Sequence, residues 1–226
     1  MDPTLRPCVK ICCIADPGEA RLAIEAGAHA LGLVSAMPSG PGVIAEEMIA
    51  AVARSVPPTV ATFLLTSRQR VDDIVAQHQR CRTTTIQLVD RLTEGTHAEL
   101  REALPGIALV QVIHISGPES LDEALAAAEQ VDALLLDSGN QRLAVRQLGG
   151  TGRVHDWRIS AVIRAAVPVP VFLAGGLGPD NVRAAIAEVG PWGLDLCSGV
   201  RTAGRLDPDK LQRFMTETRH GPTPPS

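Results

Sequence analysis

The stretch VKICCIADPGEARLAIEAGAHALGLV, Val9 to Val34, decides the fold. An apolar run, Val9–Ile14, is broken by Asp16, Pro17 and Gly18, and a segment of helical period follows from Gly18 to Ala26. Gly27 stands just past that helix, where a left-handed residue ends it at little steric cost. A second apolar run, Ala30–Val34, completes a strand–helix–strand unit. Two strands joined through a helix lie parallel, so the unit predicts a parallel sheet.

The same alternation continues to the C-terminus. Further strands are predicted at Thr59–Leu65, Thr85–Leu88, Ala108–Ile113, Ala133–Leu136, Val169–Leu173 and Gly193–Leu196. Most are unbroken apolar runs, as expected of strands covered on both faces. The intervening helices are predicted at Glu46–Ser55, Arg68–Gln79, Thr96–Ala103, Ser120–Ala127, Arg158–Ala166, Asp180–Val189 and Pro208–Thr218. Asp180–Asn181 and Asp207–Pro208 supply capping side chains and proline at helix starts. No linker or composition shift divides the 226 residues. Eight strand–helix pairs in one domain favour a single-domain (β/α)8 TIM barrel over residues 1–219, although a doubly wound open sheet has the same local pattern. His220–Ser226, rich in proline, reads as a disordered tail.

Composition narrows the partners. The formal charge of -4 offers no basic footprint for nucleic acid, and aromatics at 2 % with no Tyr leave little for base stacking. The apolar runs fall short of the roughly 18 to 20 residues a spanning helix needs, so no membrane partner is expected. The start, MDPTLRP, does not resemble a signal peptide, which points to the cytoplasm. Cys8, Cys12, Cys13, Cys81 and Cys197 are an odd set without paired zinc spacing and read as reduced thiols.

In a (β/α)8 barrel the functional side chains lie at the C-terminal ends of the strands. The first strand ends in Lys10-Ile11-Cys12-Cys13, the sixth in Leu136-Asp137-Ser138 and the eighth in Asp195-Leu196-Cys197-Ser198-Gly199. A carboxylate at the end of a leucine run is costly unless it has a task. Glycines gather on the late strands at Gly149–Gly152, Gly175–Gly178 and Gly199. Without Cβ atoms such turns bring backbone N–H groups close to an anion, and late strands are the recurrent phosphate location. The phosphate-binding candidates are Gly150, Gly152, Gly175, Gly176, Ser198 and Gly199. Asp195 reads equally as a ligand to a sugar hydroxyl and as a structural acceptor. Cys8, Cys81 and Cys197 read as small buried hydrophobes, and His114, without a spaced partner, makes no metal site.

These residues carry a family resemblance. VKICCIA, IQL, LLLDS, GGTGRVHDW, FLAGGLGPDNV and GLDLCSGV follow the order and spacing of phosphoribosylanthranilate isomerases over nearly the whole chain. The resemblance implies an Amadori rearrangement of an N-linked aminoaldose 5-phosphate, with no cofactor and no metal. The substrate is then a small phosphorylated sugar-amine, N-(5-phosphoribosyl)anthranilate by default, and the enzyme a monomer or homodimer. It implies Cys12 as the base on the sugar C2 proton and Asp137 as the acid on the ring oxygen. Chemically, Cys12 then needs cationic help, as from Lys10, to ionise at neutral pH, and Asp137 needs burial to hold its proton.

The chain also departs from the family. Ser39–Val43 reads SGPGV where the family has SPRYV, so Pro41 stands in the place of the arginine that pairs with the anthranilate carboxylate. Val89 and Asp90 replace a histidine and a glycine, and Cys13 replaces a glycine. Arg68 and Arg91 are candidate replacement cations. A paralogue for another phosphoribosyl-amine and a non-catalytic phosphometabolite-binding barrel therefore stand beside the isomerase reading. An aldolase would need a Schiff-base lysine; Lys10, the only lysine before Lys210, matches the family lysine instead.

Overall fold

An extended chain turns successive side chains to opposite faces, so each apolar run can furnish two cores at once. The structure, a computed structural model, describes residues 6–138 and 156–219. Its strands are β1 (Cys8–Ile11), β2 (Ala30–Val34), β3 (Ala61–Thr66), β4 (Thr85–Leu88), β5 (Ala108–His114), β6 (Ala133–Asp137), β7 (Val171–Leu173) and β8 (Gly193–Leu196). They pair in parallel in chain order and close into a barrel, with Cys8 opposite Gly193 and Lys10 opposite Asp195 where β8 meets β1. That pairing excludes the open sheet and leaves the expected (β/α)8 barrel.

The crossovers are α1 (Pro17–Ala26), α2 (Glu46–Ser55), α3 (Val71–Cys81), α4 (His97–Ala103), α5 (Ser120–Ala128), α6 (Trp157–Ala166) and α7 (Val182–Val189); α8 (Pro208–Arg219) ends the described chain. Outward residues such as Ile11, Leu31, Leu33, Leu64 and Ile86 pack with helical Ile49, Ile74, Leu100 and Phe214 in one core. Their inward neighbours Ala30, Val34, Phe63, Leu65, Val112, Leu135 and Phe172 fill the lumen as a second. Each fully buried aliphatic side chain contributes about 1.5–3 kcal/mol. Phe63 and Phe172 meet edge to face, 5.8 Å between centroids, and plug the lumen below the mouth.

Helix ends follow side-chain chemistry. Asp16 accepts from the N–H groups of Gly18 and Glu19, Thr96 and Glu99 form a reciprocal capping box, and Asp207 accepts from Asp209 and Lys210. Two predicted boundaries move. The first strand ends at Ile11 rather than Ile14, because Cys13 takes φ 62°, outside the extended region. The third helix starts at Val71 rather than Arg68, because Thr66 Oγ1 accepts the Arg68 N–H at 3.2 Å and Arg70 remains extended. His220–Ser226, expected as a tail, lies outside the described residues.

Candidate active site

The C-terminal ends of the strands surround a cleft of about 670 Å³, open mouth included, lined by Cys12, Cys13, Asp137, Asp195, Gly175, Gly176 and Ser198 among others. Cys12, Asp137 and Asp195 line it, with Lys10 buried against Asp195, for one reason. On β1 the period-two rule sends Lys10 and Cys12 inward together, and on the neighbouring strand it sends Asp195 inward opposite Lys10. On β6 it sends Asp137 inward two residues past Leu135.

Lys10 is fully buried, donates to Asp195 Oδ1 at 2.8 Å and lies 5.2 Å from the centre of the Phe63 ring. Burial alone would lower its ammonium, but Asp195 and the thiols of Cys12 and Cys13 outweigh that and carry it to about 12. Lys10 is therefore a fixed cation at neutral pH, which removes it as a Schiff-base amine. Gly32 on β2 makes the space: a Cβ there would lie 2.8 Å from Cys12 Sγ and 3.0 Å from Lys10 Nζ. The thiol and the ammonium thus share one side of a bare strand, within a few ångströms of each other.

Asp137 is buried, and loss of solvation raises its carboxyl above the usual range. His114, level with it on β5, and the Ser138 N–H, 2.7 Å from Oδ1, pull the other way without cancelling the effect. Cys12 and Asp137 therefore line one cleft, the first beside a permanent cation and the second favoured in its neutral form.

The glycine turns lie beside this pair. Gly175 and Gly176 take φ 86° and 65° and carry the chain from β7 over Ser138. Asn181 pins the turn, accepting from the Gly178 N–H and donating to Gly176 O, both at 2.9 Å. A Cβ at Gly199 would lie 1.9 Å from Leu177 O, so the short 3-10 turn Ser198–Val200 runs directly against the β7 turn. Two backbone turns in contact at the rim make a cradle suited to an anion. Gly150 and Gly152 lie outside the described residues.

Arg68 and Arg91 do not reach the cleft. Arg68 pairs with Glu46 at 3.7 Å, a carboxylate on α2 also held by Gln77 and Arg80, and Arg91 pairs with Glu123 on α5 at 2.8 Å and is 69 % exposed. Each is held by a local carboxylate, and neither is among the residues that line the cleft. No lysine or arginine stands among the described lining residues. Pro41 and Val89 both line the cleft, as do Met37, Leu65 and Val112, which makes the wall away from the glycine turns largely apolar.

Three contributors escaped sequence reasoning. Gln87 faces the cleft from β4, and its buried Oε1 has no hydrogen-bond partner among the described residues. Its period-two placement was the available signal. Arg201, in the hairpin of β9 (Arg201–Thr202) and β10 (Arg205–Leu206), donates to Cys13 O at 2.6 Å and to both carboxylate oxygens of Glu19 at 3.0 Å. Glu19 accepts from the N–H groups of Ala15 and Leu206 as well. This buried pair braces the turn that carries Cys12, and no local pattern announces it. The third is the contact of Cys13 with Cys197, 2.6 Å between sulfurs. Among the described residues no group of three or more His, Cys, Asp or Glu is arranged to hold a metal ion, and no helix is long and apolar enough to cross a membrane.

A closed (β/α)8 barrel with a thiol, a buried carboxyl and glycine turns gathered at its C-terminal face defines a barrel enzyme with its site at that face. The chain belongs to the N-(5'-phosphoribosyl)anthranilate (PRA) isomerase family, whose sequence profile matches residues 9–217. It is 36 % identical over 214 residues to an N-(5'-phosphoribosyl)anthranilate isomerase of Desulforudis audaxviator, covering 93 % of this chain and 97 % of that protein. It is 33 % identical, again over 214 residues, to one of Methanothrix thermoacetophila, with 93 % and 97 % covered. Among solved structures, phosphoribosyl anthranilate isomerase from Thermotoga maritima superposes with TM-score 0.77 at 27 % identity, covering 94 % of this chain and 98 % of that one. A phosphoribosyl anthranilate isomerase in complex with reduced 1-(o-carboxyphenylamino)-1-deoxyribulose 5-phosphate superposes with TM-score 0.74 at 26 % identity, with 94 % and 98 % covered.

Proposed function

We propose that this chain is a cofactor-free isomerase that performs an Amadori rearrangement on an N-linked phosphoribosyl-amine. By its family that substrate is N-(5-phosphoribosyl)anthranilate, converted to 1-(2-carboxyphenylamino)-1-deoxyribulose 5-phosphate in tryptophan biosynthesis. The observation that carries the reading is the pairing of Cys12, beside the buried Lys10 ammonium, with Asp137, whose carboxyl burial favours as neutral, in one cleft. Asp137 donates its proton to the furanose oxygen, and the C1 nitrogen pushes the ring open to an iminium. The iminium acidifies C2–H, which the Cys12 thiolate removes to give an enolamine. Protonation at C1 and loss of the C2 hydroxyl proton then yield the 1-amino-1-deoxyketose, and the two proton carriers return to their starting states.

Lys10, held by Asp195, acts as the positioning cation for the thiolate. The phosphate sits on the turns of Gly175–Gly176 and Ser198–Gly199; Gly150 and Gly152 remain candidates from the sequence alone. The working form is a monomer or homodimer in the cytoplasm, with a small phosphorylated sugar-amine as its partner. Freshly generated phosphoribosylanthranilate, followed by loss of its fluorescence at pH 7, tests the activity with wild type and Asp137→Asn. Turnover that disappears in Asp137→Asn supports the reading; turnover that persists overturns the acid.

A second reading keeps the chemistry and changes the aglycone. What favours it is the largely apolar wall around Pro41 and Val89, with no lysine or arginine among its described lining residues to meet a carboxylate. An unpaired carboxylate in such a wall costs about 2–5 kcal/mol relative to a paired one. Phosphoribosyl-amines of aniline and of anthranilate, compared side by side, separate the two: a preference for the uncharged aglycone selects the second reading.

A further inference from the structure

Cys13 and Cys197 meet at 2.6 Å, closer than two unbonded sulfurs rest and within 1 Å of the roughly 2.05 Å of a disulfide. The barrel's closure brings them together. β1 pairs with β8 up to Ile11 and Leu196, and Cys12 N–H continues the ladder to Leu196 O at 2.7 Å. The two chains therefore leave the sheet about 5 Å apart, inside the Cα window that a disulfide requires. The left-handed turn at Cys13 then swings its side chain toward Cys197. Both sulfurs border the cleft and Cys197 is only half-buried, so a small oxidant entering the mouth reaches them.

We propose that Cys13 and Cys197 form a reversible disulfide, installed by a small peroxide, that lowers turnover by tying the turn carrying Cys12 to the turn carrying Ser198 and Gly199. In the first step the Cys197 thiolate attacks hydrogen peroxide, breaking the O–O bond to give a sulfenic acid and hydroxide. In the second, Cys13 sulfur displaces the sulfenic oxygen, which leaves as water with the thiol proton, and the S–S bond forms. The peroxide is reduced by two electrons and the thiol pair oxidised by two. A dithiol reverses the step by exchange.

The surroundings favour Cys197 as the attacking thiol over Cys8 and Cys81. The contact with Cys13 and the Arg201 guanidinium hold Cys197 below the ordinary thiol range, whereas burial pushes Cys8 and Cys81 up to about 11. Bonding draws Cys13 toward Cys197 and away from Pro41 O, to which its thiol donates at 3.6 Å. Cys12 is its chain neighbour, and a displacement near 1 Å of a catalytic group is worth up to about 100-fold in rate.

The test uses the whole chain with hydrogen peroxide as the oxidant, and its mass readout does not depend on the proposed activity. Intact mass should fall by two hydrogens, peptide mapping should join the segment of Cys13 to that of Cys197, and dithiothreitol should restore the original mass. The same loss should persist in Cys12→Ser and vanish in Cys13→Ser and in Cys197→Ser, each checked for folding by circular dichroism. In wild type, kcat/KM for phosphoribosylanthranilate should drop at least threefold as the link forms and recover on reduction. A link that involves Cys12, no link at all, or full activity in the cross-linked protein overturns the proposal.

Discussion

Gly32→Ala is the substitution whose effect the structure fixes most narrowly. Its Cβ would lie 2.8 Å from Cys12 Sγ, 3.0 Å from Cys12 Cα and 3.0 Å from Lys10 Nζ. Carbon contacts are optimal at about 3.5–4.0 Å, so the methyl group must displace the thiol, the ammonium or both by close to 1 Å. Overpacking of this kind costs about 1–3 kcal/mol, or roughly 2–12 °C in Tm for a chain of this size. An alanine in a strand otherwise gains about 0.5–1 kcal/mol over glycine, which offsets part of that cost. Catalysis has no such offset, and misplacing the base by about 1 Å should lower kcat/KM about 100-fold. The assay is fluorescence-followed turnover of phosphoribosylanthranilate, well below the variant's Tm, with binding of the reduced product analogue measured alongside. Binding should hold within about threefold, since the glycine turns are untouched. Turnover within threefold of wild type would refute the placement of Cys12 and Lys10 over Gly32.

Other perturbations read different parts of the account. Asp137→Asn should abolish turnover yet raise Tm at neutral pH. With its folded pKa raised, Asp137 gives stability that is complete below the ordinary carboxylate range and is lost as pH rises through the folded value. Asparagine removes that loss, so the Tm advantage of the variant should widen from about pH 4 upward and vanish below it. Arg201→Ala breaks a pair whose side chains are 8 % and 10 % exposed and should cost about 3 kcal/mol, or roughly 6–12 °C, by thermal melt. Burial alone would raise Glu19, but the bonds from Arg201 and from the Leu206 and Ala15 N–H groups hold it low. Its stabilisation is therefore present above its unfolded pKa and lost as pH falls through the folded value, and Arg201→Ala should shrink that acid-side loss in a pH series of melts. Arg68→Ala and Arg91→Ala, both aimed at surface carboxylates, should leave KM within about twofold, as steady-state kinetics will show.

The barrel was legible because its information is local. VKICCIADPGEARLAIEAGAHALGLV carries strand, cap, helix, stop and strand within one reading frame, and seven repetitions leave closure as the compact solution. The site was legible where it depended on periodicity: Lys10, Cys12, Asp137 and Asp195 all face inward because extended chains alternate. What stayed hidden depends on pairs distant in sequence. Glu19 and Arg201 are 182 residues apart, and Cys13 and Cys197 are 184 apart, so only the closure of β8 on β1 reveals them. Arg68 and Arg91 were assigned by charge and proximity in sequence, which cannot register Glu46 and Glu123 holding them. Strand ends shifted for a similar reason: the left-handed Cys13 answers to the Arg201 bond and to the packing of Gly42 against it, not to its own propensity.

The central claim is that Cys12 and Asp137 act as base and acid on one substrate in one cleft. The measurement that tests it most directly is kcat/KM for phosphoribosylanthranilate in Cys12→Ser, Asp137→Asn and the double variant, with binding of the reduced product analogue as the control. The account predicts that each single change lowers kcat/KM by about 10²–10⁴-fold or more, that the double change falls little further, and that binding survives in all three. A single variant that keeps its rate within tenfold of wild type, while binding normally, would contradict it.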